Sequence, residues 1–251
     1  MQTKVDKLNV KVLSSRDEMG KAAAADIAAA IRAILAKKDT VNIIFAAAPS
    51  QNEVLASLLA EDVDFSRINA FHMDEYIGLD PRFSGAAFAN FLKDHIFDKA
   101  PFRSVNLIRA EATDADAECE RYAALLAEYP TDIVVMGIGE NGHIAFNDPP
   151  VADFNDKKVV KVVKLDEICR GQQVNDGCFP AVENVPTHAM TLTCPTLTRA
   201  AHLFCIVPAK TKAVAVRATL NDEISEKCPA TVLRRHDSAT LYLEPDSAAL
   251  L

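Results

Sequence analysis

The sequence predicts an α/β fold: a mostly parallel, Rossmann-like doubly wound sheet with helices on both faces, built as a single domain over residues 1–251. Three observations carry this. Short β-branched runs bounded by turn residues alternate with alanine-rich or amphipathic stretches of helical length along most of the chain. The runs Val41-Asn-Ile-Ile-Phe45 and Asp132-Ile-Val-Val-Met136 are nearly continuously apolar, as strands covered on both faces are. A chain of 251 residues with 49% hydrophobic composition can bury a large core without a second domain.

The elements follow in order. Leu8 to Leu13 alternates as a strand, and Ser15-Arg-Asp-Glu18 is a capping box opening an alanine-rich helix that runs to about Leu35. Val41 to Ala46 is a second strand, closed by Ala48-Pro-Ser50, with a helix from Glu53 to Leu59. Ser66 to Phe71 is a short strand ending in the polar loop His72-Met-Asp-Glu-Tyr76, and a helix spans about Gly85 to His95. Val105 to Ile108 is a strand, Asp114 to Glu128 a helix with acidic residues in its first turn, and Asp132 to Met136 a buried strand. Downstream, Lys158 to Val163, Thr187 to Thr193, His202 to Val207 and Ser238 to Leu243 are strands, with a helix from Thr211 to Leu220.

Composition narrows the partners. A net charge of -8 with scattered Lys and Arg lacks the basic footprint of a nucleic-acid binder, and anionic membrane surfaces are disfavoured on the same ground. No run of about 18 apolar residues offers a membrane span, and the charged, alternating N-terminus is unlike a secretory signal, so a cytoplasmic location is expected. The six cysteines are dispersed without CxxC pairing and are expected to be reduced, buried small hydrophobes. A homo-oligomer is compatible with all of this.

In doubly wound sheets, ligands bind outside the carboxyl ends of the strands. The loops after Phe45, Phe71, Met136 and Val207 are therefore the places where a site is expected. The loop after Met136, Gly137-Ile-Gly-Glu-Asn-Gly-His-Ile-Ala-Phe-Asn-Asp148, contains a literal GxGxxG. A dinucleotide site needs a full helix directly after the glycines and an acidic residue about 20 positions on; here Pro149-Pro150 and a lysine-rich stretch occupy those places. The glycines instead let backbone come close to a ligand at Gly139 and present His143 and Asp148 from the strand end. Alone, His143 is better read as a hydrogen-bonded core histidine, and Asp74 and Glu75 as a solvated acidic loop. Two such loops after two parallel strands make a shared site the better reading, with partly desolvated carboxylates suited to proton transfer. Ala46 to Ser50 places the backbone of Ala47 and Ala48 and the Ser50 hydroxyl before a helix, a weak anion cradle, and Lys210 and Lys212 can bring ammonium groups to the same rim.

Taken together, these four loops resemble the glucosamine-6-phosphate deaminase (isomerase) family, in the superfamily that includes 6-phosphogluconolactonase. The resemblance spans nearly the whole chain and rests on Phe71-His-Met-Asp-Glu-Tyr-Ile-Gly-Leu79, Gly137 to Asn147, Val185-Pro-Thr-His-Ala-Met-Thr-Leu192 and Lys212. It implies conversion of an amino-sugar phosphate and water to fructose 6-phosphate and ammonium, with no metal or organic cofactor and a small sugar phosphate as the partner. By position, Asp74 resembles the base that moves a proton between C2 and C1, His143 the residue that opens the sugar ring, and Ser50 and Lys212 the phosphate contacts. The chain departs from the family pattern in having Asn141 in place of Asp and Asp148 in place of Glu, which leaves Asp148 or Glu140 to orient His143. It also has Gly177-Cys178 where the family carries an arginine before an aromatic residue, so Arg170 and Lys210 become the alternative phosphate contacts. A lactonase of the 6-phosphogluconolactonase type, a non-catalytic sugar-phosphate sensor, and a metal site from His72, Asp74, His143 and Asp148 are the competing readings. The first motif favours the deaminase, since the lactonase branch has Arg where this chain has Tyr76.

Overall fold

The computed structural model describes residues 2–251. Its main sheet has eight strands in the order β1 (Gln2–Val5), β2 (Leu8–Val12), β11 (Ala239–Leu243), β10 (His202–Ile206), β7 (Ile133–Met136), β3 (Val41–Phe45), β4 (Ile68–His72) and β6 (Ser104–Asn106). All neighbours are parallel except β1, which hairpins back onto β2. The chain leaves β3 toward β4 and β6 but leaves β7 toward β10 and β11. The strand order therefore reverses between β3 and β7, and a crevice opens above their carboxyl ends.

Alternation along the central strands divides the core into two layers. Ile44, Phe71, Val134 and Leu203 face α4 (Ala115–Glu128), α6 (Cys194–Thr198) and α7 (Ala213–Asn221) through Tyr122, Leu197 and Val216. Ile43, Phe45, Ile133 and Phe204 face α1 (Arg16–Leu35) and α2 (Asn52–Leu59) through Ile27, Ile31 and Leu55. The doubly wound expectation holds, with both faces of the sheet covered. Ser15 caps α1 by accepting the Glu18 N–H, as the capping box predicts.

Several elements differ from expectation. The first hairpin strand, Gln2–Val5, is exposed and charged, which masks its period. The acidic stretch after β4 is a strand, β5 (Asp74–Ile77), in a second, three-stranded antiparallel sheet with β9 (His188–Leu192) and β8 (Val160–Lys164). Glu167–Asn175 forms a helix, α5, that sequence periodicity does not reveal because its mean hydropathy is low. The helix expected from Gly85 to His95 is broken into a tight turn Pro81–Ala86, a short α3 (Phe88–Leu92) and a wide turn Lys93–Phe97, because Ala87 is extended. β6 lies slightly earlier than expected.

Five of the six cysteines are buried and all are free thiols, as their apolar settings predict. Among the described residues, no helix is long and apolar enough to cross a membrane.

Candidate active site

All four expected loops line one cleft of about 770 Å³, open to solvent, at the β3/β7 reversal. Its walls include Ala47, Ala48 and Ser50 after β3, Asp74 after β4, Gly139 and His143 after β7, and Lys212 after β10.

The loop after β7 is built around the His143 ring. No helix forms between β7 and β8, so the GxGxxG spacing has no dinucleotide geometry. A Cβ on Gly139 would overlap the His143 imidazole, so that glycine makes room for the ring. Gly142 has φ +82, and a Cβ there would press on Cys228 Sγ.

Behind the ring, His143 Nδ1 lies 2.8 Å from Asn141 Oδ1 and 2.9 Å from Asp148 Oδ1. Both neighbours are acceptors, so Nδ1 carries the proton and Nε2 is the basic nitrogen. Asn141 Nδ2 donates to Asp148 Oδ1 at 3.0 Å, and its Oδ1 accepts the His143 N–H. Burial alone would push the Asp148 carboxyl up, but the hydrogen bonds from His143 and Asn141 outweigh it and hold Asp148 below the usual carboxylate range. Asp148 is fully buried and does not line the cleft, and neither does Asn141. Of the two orienting candidates, Asp148 takes the task, while the Glu140 carboxylate accepts from Asn175 at the surface. Asp148 also meets the buried Cys169, and with His143 these form a His-Asp-Cys cluster. Burial, reinforced by Asp148, drives the Cys169 thiol well up, which disfavours the thiolate a metal would need.

Asp74 begins β5 at the cleft wall, buried to 7% exposure. Burial, then the charge of Glu75, raises its carboxyl well above the ordinary range and makes its carboxylate a stronger base. Glu75 itself is not brought to the cleft. Its carboxylate accepts the N–H groups of Tyr76, Phe88 and Ala89, so it holds the start of α3.

On the anion side, the N–H groups of Ala47, Ala48 and Ser50 make no hydrogen bond among the described residues. Lys212 is 5% exposed, faces the cleft, and has no ion pair or hydrogen-bond partner for its ammonium group among the described residues. Burial lowers its pKa, opposed chiefly by Asp176. Ala209, just before it, holds a left-handed φ of 84 with its N–H bound to Glu244.

The two alternative anion contacts fall outside the cleft. Arg170 donates to the Val182 and Val185 carbonyls and pairs with Glu167. Lys210 is exposed. The cleft holds instead Arg16, from the first turn of α1, and Gln172, Gln173 and Asp176 from α5. In the sequence Arg16 reads only as part of a helix cap. The α5 residues lie in the helix that the hydropathy pattern hides.

Residues 14–242 match the family profile of glucosamine-6-phosphate isomerases/6-phosphogluconolactonase. The chain belongs to this family. Among relatives in the glucosamine-6-phosphate isomerase/6-phosphogluconolactonase family, the glucosamine-6-phosphate deaminase of Bacillus cereus is 32% identical over 243 residues, covering 97% of this chain and 89% of that one. The deaminase of Listeria innocua is 36% identical over 215 residues, covering 84% and 88%. A solved structure of a monomeric glucosamine-6-phosphate deaminase superposes with a TM-score of 0.86 at 29% identity, covering 96% of this chain and 99% of that one. The 6-phosphogluconolactonase of Trypanosoma brucei shares the fold, with a TM-score of 0.79 at 20% identity and full coverage of both chains.

Proposed function

We propose that the chain is a glucosamine-6-phosphate deaminase acting as a single domain in the cytoplasm, with a small sugar phosphate as its partner. The observation that carries this reading is the pairing of a desolvated carboxylate, Asp74, with the basic Nε2 of a buried His143–Asp148 pair across one cleft that also holds the unpartnered Lys212. His143 moves the proton between the ring oxygen and O1 that opens the pyranose. Asp74 then takes the C2 proton of the open chain and returns it to C1 while O1 gains the proton that the amino group gives up, leaving a C1 hydroxyl and an imine at C2. Water adds to that imine, ammonium leaves, and C2 becomes the ketone of fructose 6-phosphate. Positioned groups of this kind each contribute about 10²- to 10⁴-fold. Lys212, the Ser50 hydroxyl and the free N–H groups of the Ala47 and Ala48 loop hold the phosphate.

Lactone hydrolysis is the second reading. It needs a water and one base, and leaves a carbon-directed base such as Asp74 without a task. Tyr76, which stands where the lactonase branch has Arg, packs on Phe88, Phe146 and Phe179 and offers the cleft no cation. The test is ammonium release from glucosamine, galactosamine and N-acetylated hexosamine 6-phosphates. Release from glucosamine 6-phosphate is expected, lost in Asp74→Asn and slowed most with closed-ring substrate in His143→Gln. Hydrolysis of a phosphogluconolactone with no ammonium from any hexosamine phosphate would overturn the assignment.

A further inference from the structure

We propose that Arg16 is an anion-binding residue of this cleft, its guanidinium contacting the substrate phosphate together with Lys212; this rests on the phosphate-sugar reading of the site. Arg16 stands at the first position of α1 and lines the same cleft as Ala47, Ala48, Ser50 and Lys212. Two contacts fix the group: Nε donates to Glu53 Oε1 at 2.7 Å, and Nη2 donates to the Pro49 carbonyl at 2.5 Å. A guanidinium has five N–H donors, so about three remain for a ligand on a group whose plane is already set. Pro49 lies between Ala48 and Ser50, whose N–H groups make no hydrogen bond among the described residues and which line the cleft, so its carbonyl ties the guanidinium to that loop.

The packing of the two helices is built to hold it there. Gly20, one turn on from Arg16, meets the Glu53 backbone and Cβ so closely that any side chain at residue 20 would overlap them. α1 and α2 therefore approach at backbone distance, and Glu53 comes within reach of Arg16. The cleft also needs this charge. Lys212 sits beside Asp176 and in a desolvated setting that weakens its hold on its proton, whereas a guanidinium stays charged throughout the working pH range. Arg170 is committed to backbone carbonyls outside the cleft.

The test is inorganic phosphate binding to the full-length chain by calorimetry, alongside phosphate inhibition and KM for glucosamine 6-phosphate. Arg16→Gln should weaken phosphate and raise KM by about 10- to 100-fold, the worth of one charge-assisted contact, with kcat changed less than about threefold. Arg16→Lys should recover part of the loss. Glu53→Gln keeps an acceptor for Nε while removing the competing charge, and should tighten phosphate binding or leave it as it is. If Arg16 only braces the Pro49 loop, Arg16→Gln lowers kcat by at least as much as it raises KM, and the proposal fails. It fails also if phosphate affinity in Arg16→Gln stays within about twofold, or if the unmodified chain binds no phosphate. Arg16-dependent phosphate binding without ammonium release would overturn the deaminase reading and leave Arg16 in place.

Discussion

Replacing Asn141 by Asp restores the residue common in the family pattern, yet this structure predicts that it harms the site. The Asn141 amide nitrogen donates to Asp148 Oδ1 at 3.0 Å and lies 3.4 Å from Asp166 Oδ2. In Asn141→Asp a carboxylate oxygen takes its place. Two unit charges 3.0 Å apart at an effective dielectric of about 20 repel by about 5.5 kcal/mol. The folded protein limits that cost by keeping one proton on the pair, so the carboxyl pKa rises in the folded state. The sign follows: the unfolded chain loses its carboxyl protons at about pH 4, the folded variant only at higher pH, and stability drops as pH rises between the two. Each pH unit in that window costs about 1.4 kcal/mol, so the deficit relative to the parent should grow by up to about 2.7 kcal/mol from pH 6 to pH 8. Urea unfolding at those two pH values measures it. The double variant Asn141→Asp with Asp148→Asn, which moves the charge without doubling it, should recover most of the loss. A deficit that does not change with pH, or no deficit at all, would refute the electrostatic account.

Asp74→Asn should melt above the parent at pH 7.5, with the gap narrowing toward pH 4, because burial and Glu75 raise Asp74 in the folded state and its ionisation therefore costs stability as pH rises; a gap that widens on acidification would count against it. Ala209→Gly should raise the melting temperature by a few degrees, since a non-glycine residue at φ 84 costs about 1–3 kcal/mol and glycine returns about 0.5–1 kcal/mol of that in unfolded-chain entropy. A lower melting point would show that the Ala209 conformation is unstrained. Gly139→Ala drives a methyl into the His143 ring and should cost about 1–3 kcal/mol of stability and more than tenfold in turnover, measured by thermal unfolding and initial rates.

Much of this architecture is legible in the sequence because the central strands are short, apolar and bounded by breakers, and because the carboxyl ends of parallel strands are where chemistry gathers. That logic places Asp74, His143, Ser50 and Lys212 in one cleft before any coordinate is known. What escapes it has physical causes. β5 carries acidic residues yet is a strand, since Asp74 and Glu75 pair with Thr191 and Met190 of β9 and the Glu75 charge is met by backbone N–H groups. Glu75 thus anchors the start of helix α3 and does not line the cleft, a distinction that local spacing does not carry. Arg170 is drawn away by two carbonyls more than 10 residues downstream, and Arg16 is drawn in by the close contact of two helices at Gly20. Both depend on tertiary proximity, which one sequence does not display.

The small antiparallel sheet has a consequence for how such an enzyme can diverge. β9 binds Asp74 through the pairing with Thr191, accepts the Phe146 N–H on the Thr191 hydroxyl at 3.0 Å, and takes the Asn147 amide on the Leu192 carbonyl at 2.8 Å. Asp74 and the loop that carries His143 therefore ride on one cross-linked unit. Gln172, Gln173, Asp176 and Arg16 come from helices outside it. Substitutions on those helices should retune which sugar phosphate enters while the spacing of Asp74 and His143 is preserved. A library confined to α5 and the first turn of α1 is thus the economical route to new substrates, whereas exchanges in β9 would cost the chemistry itself.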